Sequence, residues 1–403
     1  MKNKYILKFF IIAILVSISF YSVSYAADPE ELSSKDIRTE LENNTEQQLE
    51  KINTVSIDKL LEDVTMAGNP LVKNLSIKQL ASKIIRGDFK LDGKWIFGEL
   101  VDIFFYEVRL NLKWILQIII IAIICSILHN LQSSFQDSSI GEIAYFACYI
   151  TISVLIIKSL ISVLNVSNLA IHQMVSFIQI FSPILIALLL AIGGVASSSI
   201  FQPTIAMLVG ITSTFIEKAI LPMIIFLAVL SLVNNISNTV KLDRLLKVFK
   251  NICVWILGIT FTIFIGVLAI QGMLSSTFDG ISIRTAKYTI ETFVPVVGGL
   301  FSQTVDTIIG CSLLVKNGLG VAGLIILIII CIYPIMKIFT IIVVYKLASA
   351  LLEPVSDERI AKCLSDIGDT ISLILLIIIG IAIMLFIFIG LIIGAGNINM
   401  MMR

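Results

Sequence analysis

Chemistry in this chain has to come from charged and polar side chains set among apolar ones. Glu217 and Lys218 interrupt the apolar run 204–235, and Lys158 and Lys337 interrupt two others. An ionisable group in hydrocarbon costs about 3 kcal/mol on insertion scales, so it faces a cavity or a partner instead. Glu217 and Lys218 either neutralise each other or turn into a bundle interior, whereas Lys158 and Lys337 can reach an interface on their flexible stems. The richest polar set follows residue 291. Gln303, Thr304, Asp306 and Thr307, then Lys316 and Asn317, sit in a stretch rich in Gly, Ser and Thr. Irregular polar backbone at membrane depth is tolerated only inside protein or beside water. This set is the candidate lumen or subunit contact, with structural hydrogen bonding as the plainer reading.

Enzymatic patterns are missing. No Walker A sequence, G-x-S-x-G or H-E-x-x-H occurs, and no cofactor is expected. Gly318-x-Gly320-x-x-Gly323 matches the dinucleotide fingerprint by letter, but that chemistry needs a preceding strand and a βαβ unit. Here the glycines open an apolar run, so close helix packing is the expected use, as it is for Gly390-x-x-x-Gly394. His129 and His172 stand alone near span ends, where a helix hydrogen bond or interfacial anchoring explains them; a metal or proton relay needs partners the sequence does not supply. Cys125, Cys148, Cys253, Cys311, Cys331 and Cys363 lie in or beside apolar runs without C-x-x-C spacing, which reads as buried thiols.

The elements that position these residues follow from hydropathy. The chain is 57% hydrophobic and 14% charged, with a mean hydropathy of +1.00; a soluble core cannot hide so much apolar surface. The fold expected is all-α: a polytopic helical membrane protein with about six to eight membrane segments of about 20 residues or more. Apolar runs fall at about 115–131, 142–164, 172–193, 204–235, 251–274, 319–345 and 370–395. Residues 1–26 read as a signal peptide: Lys2, Lys4 and Lys8 precede an apolar core from Phe9 to Phe20, and Ser24-Tyr25-Ala26 suits cleavage. An uncleaved anchor is the rival, and either way residues 27–113 are expected outside the cytoplasm. In that region Leu41, Leu49, Ile52, Ile57, Leu60, Leu61 and Val64 recur at helical spacing, and the aromatic stretch from Trp95 to Trp114 suits an interfacial helix. The membrane domain is 114–403. A net charge of +1 without a basic stripe excludes nucleic acid as a partner; lipid is the expected surrounding.

Two charged stretches break the apolar array and suggest surface helices that contact cytoplasmic partners. One carries Arg244 and Lys247, the other Arg359 and Lys362. They also suggest a duplication of 172–274 in 291–395. Phe181-x-Pro183 parallels Phe293-x-Pro295, Pro222 parallels Pro334, and Arg-x-x-Lys follows in each. The basic residues of 241–250 place that loop in the cytoplasm. Counting every run as a crossing puts it outside, a conflict that two re-entrant hairpins would remove, one turning at Gly193-Gly194 and one near Gly298-Gly299.

The stretch Phe278-Asp279-Gly280-Ile-Ser-Ile-Arg284-Thr-Ala-Lys287 resembles a signature of the stage III sporulation protein AE family. So do Phe293-Val-Pro295-Val-Val-Gly298-Gly299, Thr304-Val-Asp306-Thr307, Gly310-Cys311-Ser312-Leu-Leu-Val-Lys316-Asn317, Tyr345-Lys346 and Glu353-Pro354. The likeness runs from about 95 to 397. It implies a non-enzymatic membrane subunit of a secretion-like channel or feeding complex between mother cell and forespore, in the mother-cell membrane around the forespore. It implies as partners the other stage III sporulation membrane proteins, a cytoplasmic ATPase and forespore protein Q, with self-association left open. The alternatives are a stand-alone secondary transporter with duplicated halves, and an intramembrane enzyme, for which no catalytic pair is visible.

Overall fold

The computed structural model describes residues 44–73, 75–89, 93–133, 138–236, 242–293 and 298–401, with side chains omitted at 94–96, 128–133, 138–142, 144, 206, 275–293, 298–307 and 396–401. All regular structure among them is helical. A short helix α1 (44–51) precedes α2 (Val55–Met66), a 3-10 turn at Pro70–Val72 and α3 (Ile77–Ile85). The long helices follow: α4 (Gly93–Ser133), α5 (Ser138–Ala191), α6 (Val195–Phe215), α7 (Leu221–Asn234), α8 (Asp243–Phe293), α9 (Gly298–Leu352) and α10 (Glu358–Met401). A π turn, Ile216–Ile220, joins α6 to α7. It lies just ahead of Pro222, which offers no N–H and crowds the carbonyl four residues earlier; a widened turn absorbs the mismatch.

Among the described residues, six helices are long and apolar enough to cross a membrane, from Phe97–Ile127 to Glu358–Ala395. The protein is therefore all-α and polytopic, as expected. The count of crossings is reached differently from the sequence reading. Runs 142–164 and 172–193 are one helix, because nothing in Asn165–Gln173 breaks it: the stretch holds neither Gly nor Pro, and Ser167 Oγ donates back to Val163 O at 2.7 Å. The aromatic stretch expected as an interfacial helix continues into the first span as α4. Run 291–316 is shared between the end of α8 and the start of α9. The turn at Gly193, with φ +88°, is where the sequence placed it; its arms are full-length helices instead of a re-entrant loop. Residues 294–297, between α8 and α9, lie outside the described residues, as do residues 1–43, where a signal peptide was expected.

The chain thus runs down α4, up α5, down α6–α7, up α8, down α9 and up α10. Four contacts set α8 beside α10: Asp243 with Lys362, Lys250 with Asp369, Phe261 with Gly380 and Gly272 with Leu391. Each pair is 119 residues apart, so the two helices are parallel and in constant register. The helix pair α9–α10 is the heart of the bundle, flanked by α4, α5 and α3. The glycines 318, 320 and 323 lie where the letters of a fingerprint had suggested packing. A Cβ on them would run into Ile85 of α3, Ile393 of α10 and Phe181 of α5, respectively. Each glycine thus admits a different neighbour to the backbone of α9.

Candidate functional site

The charged stretches at the starts of α8 and α10 were expected to face partners. The structure brings them to each other. Lys362 Nζ donates to Asp243 Oδ1 at 2.6 Å, and Asn234 at the end of α7 donates to the same carboxylate at 3.0 Å. About two helical turns deeper, Asp369 takes Lys250 of α8 at 2.9 Å and Lys346 of α9 at 2.5 Å. Lys346 also donates to Ser365, and Asn235 Nδ2 reaches Asp366 at 3.4 Å. Arg359 forms a two-pronged contact with Asp357, at 3.0 and 2.7 Å, and lies 3.7 Å over the Tyr145 ring. A bidentate guanidinium against an aromatic face is a fixed geometry that lysine cannot reproduce. Tyr145 and Tyr149 in turn donate to the last carbonyls of α7, at Asn235 and Leu232. This charged layer ties five helices together at one end of the bundle. Of the four basic candidates, Arg359 and Lys362 are engaged inside it, while Arg244 and Lys247 remain on the exposed side of α8.

Lys316 is fully buried, and its Nζ donates to Ile393 O of α10 at 2.8 Å. Nearby, Ser312 Oγ donates to Gln48 Oε1 of α1 at 3.3 Å, so this stretch of α9 does contact another part of the chain. The side chains of Gln303, Thr304, Asp306 and Thr307 lie outside the described residues; their backbone belongs to α9. Asn317 follows Lys316 on the same helix, half-buried.

Glu217 and Lys218 both sit on the π turn and do not pair with each other. Glu217 meets His172 of α5 instead, Oε1 to Nε2 at 3.4 Å, with the two side chains 42% and 64% exposed. Lys218 is exposed as well, at one edge of an open groove of about 640 Å³ lined by Met207, Gly210, Ile211, Thr214 and Phe215. Lys337 does not simply reach outward: it stands 3.5 Å from Glu107 of α4, whose side chain is buried and also accepts from Tyr333 at 3.3 Å. Sequence reading passed over Glu107, Lys346 and Asp369 as partners. Their signal was available, since each is an ionisable residue inside or next to a long apolar helix, but the residue that answers it lies far away along the chain.

Asn69 joins the short N-terminal helices to α9. Buried at the start of the 3-10 turn, it accepts from Leu71 N and donates to Ile329 O, both at 3.1 Å. That carbonyl is the one before Ile330 O, which Pro334 leaves without its helical donor. Among the described residues, no group of three or more His, Cys, Asp or Glu could hold a metal ion. The arrangement as a whole fixes helices against one another and presents polar groups at the bundle surface.

A family described as stage III sporulation protein AE has a sequence model that matches residues 75–396. The curated stage III sporulation protein AE of Bacillus subtilis (strain 168) is 35% identical over 321 residues, which are 80% of this chain and 80% of that protein. No solved structure matches the chain.

Proposed function

Because this chain belongs to the stage III sporulation protein AE family, we infer that it serves as a non-enzymatic integral membrane subunit of a secretion-like complex between mother cell and forespore. The observation that carries this reading is the extent of the match, which takes in α3 and every long helix of the bundle. The geometry is in keeping with a scaffold: its charged groups tie helices together in the layer at Asp243 and Asp369. That end is assigned to the mother-cell cytoplasm by the loop 241–250, which holds Lys241, Arg244, Lys247 and Lys250 against the single acid Asp243. Helix α1 and the end of α3, which meet α9 at Ser312 and Gly318, then lie toward the space between the two membranes, while the Asn69 turn reaches to mid-height; Arg244 and Lys247 are free to meet a cytoplasmic ATPase. The other stage III sporulation membrane proteins and forespore protein Q are the further partners proposed.

Affinity purification of a tagged chain from engulfed sporangia tests the reading. Other sporulation membrane proteins should be recovered with it in fixed proportion; recovery of the chain alone would overturn the assignment. One observation favours the transporter reading: α6–α7 leads into α8 just as α9 leads into α10, and α8 and α10 lie parallel in register, an arrangement parallel repeats produce. Solute movement by the chain alone in reconstituted vesicles would decide for it.

A further inference from the structure

Two flanks of the bundle lie at the same height and cannot have the same surroundings. Helix α8 gives the first. From Asn251 to Leu274 it carries no Asp, Glu, Lys or Arg, and more than half of its residues are exposed. That stretch is about 36 Å long, enough for a hydrocarbon core of about 30 Å. A bare, uncharged helix of this length faces lipid.

The contacts already described carry that height across the molecule. Phe261, in the middle of the α8 stretch, is level with Gly380 of α10. Helix α9 runs antiparallel to α10, with Lys346 at Asp369 and Gly320 at Ile393, so Cys331 and Tyr333, midway between, are level with Gly380. Cys331 meets Met174 of α5 at 3.1 Å, and Phe181 meets Gly323. His172 is therefore at the height of Phe261, and Glu217 is with it.

At that height the second flank is polar and open. His172, Glu217 and Lys218 are all exposed. Next to them, α2 packs on α5, and Asn69 and Gly68 reach α9 at Ile329 and Tyr333. The outward side of α2 bears Lys59, Glu62 and Asp63, all exposed; Lys83 of α3, beside Gly318, lies toward the outer end of the span. Charged groups of this kind do not face hydrocarbon; they face a cavity, water or a partner. Both signs of charge are present, which suits water, although the groove beside Lys218 is itself lined mainly by the apolar Met207, Ile211 and Phe215.

The geometry points to an aqueous passage at bilayer height, walled on one side by the flank of α5, the π turn and α2 with its Asn69 turn, and closed by the rest of the complex. The inference deepens the subunit reading and rests on it for the opposite wall. Hydrated solutes are the class such a wall admits, with His172, Glu217 and Lys218 as its lining.

Single cysteines at Lys218 and His172, with Ile263→Cys on α8 as the lipid-facing control and the unsubstituted chain as background, test it in membranes from sporulating cells. A membrane-impermeant cationic methanethiosulfonate is the probe, because it reacts with thiolate in water and not with a thiol in hydrocarbon. Positions 172 and 218 should react about tenfold or more faster than 263. Thr214→Cys, one turn along the groove and without a charge change, gives the same reading should either charged-site variant fail to accumulate. Positions as unreactive as 263, in membranes where the partners still co-purify, would overturn the passage and leave the subunit reading intact. Reactive positions without co-purifying partners would uphold a water-facing flank at 172 and 218, overturn the subunit reading, and with it remove the opposite wall the passage requires.

Discussion

Helices α8 and α10 have nearly the same apolar sequence character and lie side by side in one register, yet they live in different environments. No residue of α10 from 363 to 395 is exposed, whereas over half of α8 from 251 to 274 is. One is greasy because it is the axis of the bundle, the other because its outer face meets lipid. Lipid is as apolar as a leucine core, so the hydrophobic effect does not separate the two cases; packing does. Gly380 makes the point within a single contact, since a side chain there would strike the Phe261 ring.

The sharpest way to break this comparison is the same substitution on both helices. Ile378→Ala on α10, where the side chain is 0% exposed, should leave a cavity and destabilise by about 2–5 kcal/mol. Ile263→Ala on α8, 59% exposed, should cost well under half as much, as lipid tails fill the space. Thermal unfolding of the two variants in detergent or nanodiscs measures the difference; equal losses would mean that α8 is covered by protein. Next in size is Gly323→Leu, which forces a branched side chain into Phe181 and should destabilise by about 1–3 kcal/mol. Gly258→Leu on α8, where a Cβ meets nothing, is its tolerated counterpart, and the yield of monodisperse protein reads both.

The charged layer tests how α8 is held against α10. Asp369→Asn removes the acceptor shared by Lys250 and Lys346 and should cost about 1–2 kcal/mol, since solvent partly screens the group. The smallest effect is expected at the exposed Lys247. Lys247→Gln should shift stability by less than about 0.5 kcal/mol, while weakening recovery of a cytoplasmic partner in pull-downs. A stability loss as large as that of Asp369→Asn would place Lys247 inside the layer instead.

Much of the site was legible residue by residue and little of it pair by pair. Burial of Lys316 and the unusual charges at Glu217 and Lys218 could be suspected because each breaks an apolar run. That Glu217 would meet His172, and that Lys362 would meet Asp243, could not. A carboxylate on a helix has neighbours three and four residues away that sequence exposes, but its partner across a bundle depends on which helices lie parallel and at what offset. The join of 142–164 to 172–193 was missed for a related reason. A polar stretch between two apolar runs reads as a loop, although without Gly or Pro its backbone continues as a helix as soon as a neighbour covers it, here α2 and the Asn69 turn.

By itself, the sequence determined that the chain is a helical membrane protein, that its polar interruptions are few, and that Gly318, Gly320 and Gly323 serve packing. These follow from composition and from the cost of placing backbone and charge in hydrocarbon, which act on every residue alike. Only the tertiary structure decided which apolar helix is core and which is rim, and which charge answers which. Those outcomes hang on one 119-residue register between α8 and α10 and on the close approaches that bare glycines allow, quantities that belong to pairs of helices and to no single one of them.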